Sequence, residues 1–315
     1  MSGLALGLAY LMDLIIGDPP WFPHPVRLIG WLIHRLAAWA RPWSSNPWPL
    51  RLAGMIIVIL TVGLTWLMVW FLLRAAGWFS PWLSAALSVF LAYTALAAKS
   101  LYVETWRAAL ALKDGDLPRA RRLLSLVVGR DTADLERAQI LRALVETVAE
   151  NLSDGVIAPF FYLALGGPAL GLAYKAVNTL DSMIGYKAEP YRHLGWAAAR
   201  LDDLAGLLPA RITAAVIVLA AFLLRLDARG ALRIWLRDGG RHDSPNAGRP
   251  EAALAGALGV QLGGTNLYRG LIVVKPTLGE ARAPLSLKHL RQAEEVLFLA
   301  GGLMCLAVVI LLEAW

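Results

Sequence analysis

Residues 52–73 run for 22 positions without a charged side chain, and after a single Arg74 residues 75–98 run for another 24. A bilayer core needs about 20 apolar residues per helix. In hydrocarbon, each backbone N–H and C=O must also be bonded within the segment. The chain is therefore expected to cross a membrane as a helical hairpin at 52–98, with Arg74 marking the turn. Pro81 falls near the start of the second helix, where proline is tolerated. Residues 296–312 offer a third, slightly short span. Two further apolar segments are interrupted. Val156–Tyr174 holds Pro159, Gly166, Gly167, Pro168 and Gly171, and Leu204–Leu224 holds Arg211. Each could be a span, a re-entrant segment or a helix buried in protein. The first twenty residues match a signal peptide in length. They lack a basic start and a small-residue cleavage site, and Asp13 interrupts them, so they read as a short first helix.

Composition points the same way. Hydrophobic residues make up 58% and charged residues 17%, against roughly 45–50% and about 25% in soluble domains. Thirteen tryptophans suit a lipid–water interface. No alternating run suggests a sheet. Leu135, Ile140, Leu141, Leu144 and Val148 follow a helical period, with Asp131 and Thr132 as plausible N-caps. The expected fold is an all-α, polytopic integral membrane protein with about four to six membrane helices plus cytoplasmic helices.

The net charge is +7. There is no compact Lys/Arg run and no nucleic-acid-binding pattern, so nucleic acid is not an expected partner. Of the 30 Lys and Arg, nine fall in 99–155 and eleven in 225–295, against Arg74 alone in the hairpin. The positive-inside rule then places 99–155 and 225–295 in the cytoplasm as helical loops. The two interrupted segments must consequently both span or both fail to span, and five basic residues in 175–211 favour the second arrangement. Cys305 stands alone, so no internal disulfide forms.

No P-loop, Rossmann fingerprint, HExxH, CxxC or GxSxG is present. Polar chemistry gathers instead in four clusters. Gly17-Asp18-Pro19-Pro20 to Pro23-His24-Pro25-Val26-Arg27 puts a carboxylate, an imidazole and a guanidinium in a proline-stiffened turn; it could equally be a membrane-edge turn with a snorkelling arginine. Glu146 and Glu150 share a helix face, followed by Asn151 and Asp154. Such oxygen donors suit Mg²⁺, or simply a solvated helix end. Lys175, Asn178, Asp181, Ser182 and Lys187 are followed by Arg200, Asp202, Asp203 and Arg211, all between apolar segments. Carboxylates there must pair with each other or hold ions, and the lysines suit phosphate. Asp243-Ser244-Pro245-Asn246-Ala247-Gly248 is a turn whose N–H groups could face an anion. Among the histidines only His24 sits in such a cluster.

These clusters, in this order, resemble the adenosylcobinamide-phosphate synthase family (CobD/CbiB) of cobalamin biosynthesis. The resemblance is carried by GDPPWFPHPVRLIG, RDTADLERAQILRALVETVAENLSDGVIAPFFY, AYKAVNTLDSMIGYK, AARLDDLAGLLPARITA and SPNAGRPEAALAGALGVQLGG. It covers about residues 10–295, with Arg249 replacing the aromatic residue usual after SPNAG. It implies an ATP-dependent carboxylate–amine ligase. The enzyme would join a propionate of adenosylcobyric acid, a corrinoid substrate, to aminopropanol phosphate or a related amino alcohol, giving adenosylcobinamide phosphate.

On that reading residues 1–315 form one membrane-embedded catalytic domain in the cell (inner) membrane, its site facing the cytoplasm. The interrupted segments would be walls of that site. Asp18, His24, Asp154 and Asp181 are the expected catalytic residues, with His24 or Asp18 taking the ammonium proton. Glu150, Asn151, Asp154, Asp181, Asp202 and Asp203 are the expected ligands of Mg²⁺. Arg27, Lys175, Asn178, Ser182, Lys187, Arg200, Arg211, Ser244 and Asn246 would bind substrate or phosphate. Other corrin-pathway membrane enzymes, or a second copy of the chain, are further partners it admits. A membrane transporter and a non-catalytic membrane scaffold are the competing classes.

Overall fold

In the computed structural model the long uncharged run becomes one helix that passes straight through Arg74. Residues 1–19, 21, 24–40, 47–186, 189–268 and 270–314 are described. In chain order the elements are α1 (Gly3–Ile16), α2 (Pro25–Ala40), α3 (Pro47–Phe79), α4 (Pro81–Tyr93), α5 (Ala98–Lys113), α6 (Leu117–Leu124), α7 (Arg137–Leu152), a π-helical turn (Ser153–Ile157), α8 (Ala158–Ile184), α9 (Trp196–Leu223), α10 (Ala228–Asp238), α11 (Gly248–Leu258), β1 (Gln261–Tyr268), β2 (Leu271–Gly279) and α12 (Leu287–Glu313). Among the described residues five segments are long and apolar enough to cross a membrane: 47–79, 81–113, 137–184, 196–223 and 287–313. The chain is thus a multi-pass membrane protein, and both interrupted segments belong to helices of spanning length.

The hairpin turn lies at Ser80, six residues beyond Arg74. Arg74 stays helical, with its guanidinium 5.5 Å from the Trp70 ring. The break comes where Ser80 caps α4, accepting the Trp82 N–H at 3.2 Å, with Pro81 in the first turn. A serine cap followed by proline is a stronger stop signal than one arginine that can snorkel.

The chain forms two compact units. The first comprises 1–97, 158–206 and 305–315. Its core joins Ile29 and Ile33 of α2, Ala53 and Ile57 of α3, Ala176 and Leu180 of α8, Leu194 in the turn before α9 and Ala198 in its first turn. Small residues let backbones touch in a setting where packing, not water exclusion, drives helix association. A Cβ on Gly54 of α3 would lie 2.0 Å from the Leu194 carbonyl oxygen. Outward-facing α3 side chains, such as Ile59 and Met68, are large and apolar, as lipid contact requires. Within α8 the helix is broken at Gly166 and Gly167; Gly167 has φ 63°, and Pro168 resumes the helix. Tyr10 meets Phe160 edge-on at 5.2 Å, and Tyr162 stacks on Tyr174 at 4.8 Å.

Proline shapes α9 as well. Pro209 lies inside this helix and has no N–H to give the carbonyl four residues earlier. That carbonyl belongs to Ala205, and the Tyr162 hydroxyl donates to it at 2.9 Å.

The second unit comprises 98–157 and 207–304. Asp116 caps α6, accepting from Arg119 N, and Asp227 caps α10, accepting from Gly230 N. The N-cap of α7 is Glu136, whose own N–H is taken by Gln139 at 2.7 Å, rather than Asp131 or Thr132. The Asp131 N–H instead donates to Leu267 O of β1, and its carboxylate accepts from Gly270 N. The helical face expected at Leu135, Ile140, Leu141, Leu144 and Val148 is buried. Helices α10 and α11 meet at two glycines; a Cβ on Gly256 would stand 2.4 Å from the Gly230 carbonyl oxygen.

Residues 225–295 are not wholly helical. β1 and β2 pair antiparallel from Gln261↔Gly279 to Tyr268↔Leu271, with a bulge between Leu262 and Gly264. Gly263 and Gly264 take φ 79° and 85°, a region closed to most side chains. Asp238, fully buried, fastens the root of this hairpin: it accepts from Arg237 at 2.8 Å and Gly279 N at 3.0 Å, and is ion-paired with Arg241 at 3.0 Å. The Arg237 hydrogen bond, with the Gly279 N–H and Arg241, holds its carboxyl below the ordinary aspartate range.

Tyr162→Phe is expected to strand the Ala205 carbonyl and cost about 1–3 kcal/mol. In Pro209→Ala the backbone N–H returns, and adding Tyr162→Phe to that background should cost much less. Thermal unfolding of the four proteins in one detergent checks the cycle.

Candidate active site

Helix periodicity aligns Arg142, Glu146 and Glu150 on one face of α7, and the second unit builds its polar site there. Glu146 is buried, and both of its oxygens are occupied. Oε2 accepts from Arg130 Nη2 at 2.5 Å; Oε1 accepts from Gly263 N at 2.8 Å and lies 3.8 Å from Arg142 Nε. Asn266 of β1 collects the two arginines, its Oδ1 accepting from Arg130 Nη1 at 2.8 Å and Arg142 Nη2 at 3.1 Å. Arg142 also donates to Thr265 O at 3.0 Å. A buried ion pair is tolerable only when its remaining donors and acceptors are met in this way.

Two further charges approach from α11 and β2. Glu251 is 4% exposed. Burial, and then the Glu146 and Glu150 carboxylates, push its carboxyl well above the ordinary glutamate range; Lys275 and Arg130 oppose them only in part. Burial works against the Lys275 ammonium, yet Tyr268 and the Glu251, Glu150 and Glu146 carboxylates together hold it more strongly protonated than usual. Its Nζ lies 6.0 Å from the Tyr268 ring centre. Burial disfavours the Arg130 charge too, and the Glu146 contact outweighs it. Three carboxylates and three cations therefore share this region.

The first unit holds a separate cavity of about 220 Å³, lined by Asp18, His24, Val26, Arg27, Thr94, Leu96, Ala97 and Lys175. His24 Nδ1 accepts the Val26 N–H at 3.3 Å. This leaves the proton on Nε2, which is 3.2 Å from Asp18 Oδ1 but out of line for a hydrogen bond. Arg27 donates to Pro19 O at 3.4 Å, and Tyr93 donates its hydroxyl to Gly17 O, fixing the turn. Asp18, His24, Arg27 and Lys175 are thus brought together from motifs about 150 positions apart.

The other expected residues fall as follows. Glu150, Asn151 and Asp154 lie at the end of α7 and in the π-helical turn, where Asn151 donates to Thr147 O at 3.0 Å. Asn178, Asp181 and Ser182 lie on α8; Ser182 donates to Asn178 O at 2.9 Å. Asp202 and Asp203 lie on α9, where Arg200 sits 3.7 Å from Asp203 in an exposed pair. Arg211 donates to Leu207 O of its own helix at 2.5 Å. Ser244 spends its oxygen on its own turn, accepting from Asn246 N and Ala247 N, and Asn246 is buried. Lys187 lies outside the described residues. The expected Mg²⁺ ligands are divided between the units: Glu150, Asn151 and Asp154 in one, Asp181, Asp202 and Asp203 in the other. Among the described residues no three His, Cys, Asp or Glu side chains converge on one point.

Arg130, Arg142, Asn266 and Lys275 had no signal in the sequence as site residues. They are single polar residues whose approach depends on the hairpin folding onto α7.

Glu146→Ala should leave Arg130 buried without its partner and destabilise the protein by about 3–5 kcal/mol. The double replacement Arg130→Met with Glu146→Leu should lose less than Glu146→Ala alone. Chemical denaturation in detergent measures both.

Comparison with known proteins gives one answer. The family model described as CobD/Cbib protein matches residues 6–297. The chain is 51% identical over 309 residues to "Cobalamin biosynthesis protein CobD" of Geobacter metallireducens, covering 98% of this chain and 95% of that protein. It is 46% identical to the CobD protein of Klebsiella pneumoniae over 100% of this chain and 98% of that one. It is 45% identical to "Cobalamin biosynthesis protein CbiB" of Salmonella typhi, covering 96% and 95%. No solved structure matches. The chain, with its hairpin-capped polar site and its Asp18–His24 cavity, belongs to the CobD/CbiB family, whose members are named for cobalamin biosynthesis.

Proposed function

We propose that this protein is a membrane-bound, ATP-dependent amide ligase of cobalamin biosynthesis, joining a propionate carboxylate of adenosylcobyric acid to the amine of aminopropanol phosphate or a related amino alcohol. The observation that carries the reading is the buried mixture of carboxylates and cations around Glu146, Glu251 and Lys275, on a chain whose relatives are named for that pathway. A carboxylate does not acylate an amine unaided. Transfer of the ATP γ-phosphoryl group to the propionate would give an acyl phosphate and ADP. Attack by the amine would then release phosphate and form the amide; of the two protons the ammonium nitrogen gives up, one goes to a base and one leaves on the phosphate.

The chain's residues fit these steps. Lys275, with Arg130 and Arg142 held by Asn266, would offset the phosphate charges by position rather than by covalent chemistry. A cation also fits: Glu251 is buried beside Glu146 and Glu150, and Mg²⁺ is commonly held by only one or two carboxylates plus phosphates. Glu150 and Glu251 would be those carboxylates, with Asn151 and Asp154 next along the chain. Bound Mg²⁺ would supply neutralisation of charge on the phosphoryl oxygens. In the first unit's own cavity Arg27 and Lys175 suit the phosphate of the amino alcohol, and Asp18, beside the His24 Nε2–H, suits the ammonium proton. Ser244 and Arg211 bond to their own backbone and so would shape the site rather than grip substrate. The basic character of 99–155 and 225–295 supports a site on the cytoplasmic side of the inner membrane.

One observation favours a second reading. The α8 break at Gly166, Gly167 and Pro168 is the kind of discontinuous span that transporters use. Corrinoid uptake by reconstituted vesicles without ATP cleavage would support it.

Purified protein should consume ATP only when corrinoid and amine are both present, and yield the amide. Lys175→Ala is expected to raise KM for aminopropanol phosphate at least tenfold while leaving KM for unphosphorylated aminopropanol within about twofold, because one phosphate contact is lost. An equal effect on both amines would remove Lys175 from the phosphate site. ATP consumption independent of the amine would sink the ligase reading.

A further inference from the structure

The loop between α10 and α11 holds a half-buried histidine whose ring is only half satisfied. His242 Nδ1 accepts the Ser244 backbone N–H at 3.0 Å. An accepting Nδ1 puts the proton on Nε2. That Nε2 is buried and has no hydrogen-bond partner among the described residues. Buried donors are nearly always paired in folded proteins, so one left open points to a ligand that completes it.

The side chain is tightly packed at its base. Gly248, the first residue of α11, packs against it so closely that a Cβ there would stand 2.5 Å from His242 Cβ. The Lys275 ammonium and the Asp243 and Glu146 carboxylates all act on the ring electrostatically. Burial and then Lys275 lower its pKa, so near neutral pH it is an uncharged N–H donor beside a cation. An N–H and an ammonium together form a recognition pair for an anionic oxygen.

We propose that His242 is a catalytic hydrogen-bond donor whose Nε2–H, acting with the Lys275 ammonium, holds an anionic oxygen of the phosphoryl group in transit. The assignment rests on the ATP-dependent reading of this unit. No bond to His242 forms or breaks and no proton leaves it; its work is to hold charge that grows in the transition state. The Ser244 N–H, taken by Nδ1, fixes the tautomer that makes this possible.

Two amide variants separate donor from loop anchor. His242→Asn can accept the Ser244 N–H through Oδ1 but offers nothing at the Nε2 position. His242→Gln reaches the Nε2 position with an N–H but gives up the Nδ1 acceptor. With the full-length protein in lipid nanodiscs, we expect His242→Asn and His242→Ala to lose at least a hundredfold in kcat, with KM for ATP raised by no more than about tenfold. His242→Gln should retain kcat within about tenfold of wild type. Binding of tripolyphosphate, followed by calorimetry, should weaken about tenfold in His242→Asn and less in His242→Gln, as loss of one hydrogen bond to a charged ligand predicts. Full activity and unchanged tripolyphosphate binding in His242→Asn would overturn the proposal and leave His242 as a loop anchor. If wild type binds tripolyphosphate but makes no amide, the ligase reading fails, and the binding comparison still decides His242.

Discussion

The Glu146 carboxylate organises the second unit. Its placement on α7 is dictated by helical spacing, but a bare carboxylate at that depth would be costly. Arg130 brings in the loop before α7, the Gly263 N–H brings in β1, and Asn266 fastens Arg130 and Arg142 to the same strand. One charge thereby holds a loop, a helix and a hairpin around a shared polar region. Glu251 and Lys275 approach that region from elements that the same contacts keep in register.

The membrane setting explains the construction of the first unit. Helices in lipid gain little from hiding apolar surface from each other, so close backbone contact and completed hydrogen bonds must hold them. Gly54 at the Leu194 carbonyl supplies the first, and the Tyr162 hydroxyl on the Ala205 carbonyl supplies the second. The helix defect at Pro209 is tolerated because a protein group, the Tyr162 hydroxyl, takes up the freed carbonyl. Around the Asp18–His24 cavity the same economy leaves one histidine nitrogen bound to backbone and the other facing a carboxylate.

Much of the fold was legible because hydrocarbon imposes a length and a polarity that few sequences meet by chance. The runs at 52–98 and 296–312 and the buried stripe of α7 could be read directly. The turn at Ser80 was harder to see, since a charge looks like a boundary and Arg74 sits almost midway through the run. The hairpin was invisible because Gly263, Gly264 and Pro276 interrupt any alternation, and its bulge shifts register at those glycines. The Asp18–His24–Arg27 motif and Lys175 each stood out, but nothing in their spacing says that they line one cavity. Arg130, Asn266 and Lys275 carry no local mark. Their meaning exists only once β1 and β2 fold against α7. His242 looked unremarkable because its significance is an unmet bond, which a sequence does not display.

The hairpin is moored at both roots through main-chain amides: Gly263 N–H to Glu146 and Gly279 N–H to Asp238. Both root positions need glycine, at φ 79° and 90°, but the amide hydrogens themselves do not depend on the side chains of the outer ribbon. The apolar tip at Leu271, Ile272 and Val274, which is largely exposed, can drift in sequence without loosening the strands. Such an arrangement separates evolvability from stability: the outer part of the ribbon is free to explore new contacts while its base stays fixed to two buried carboxylates.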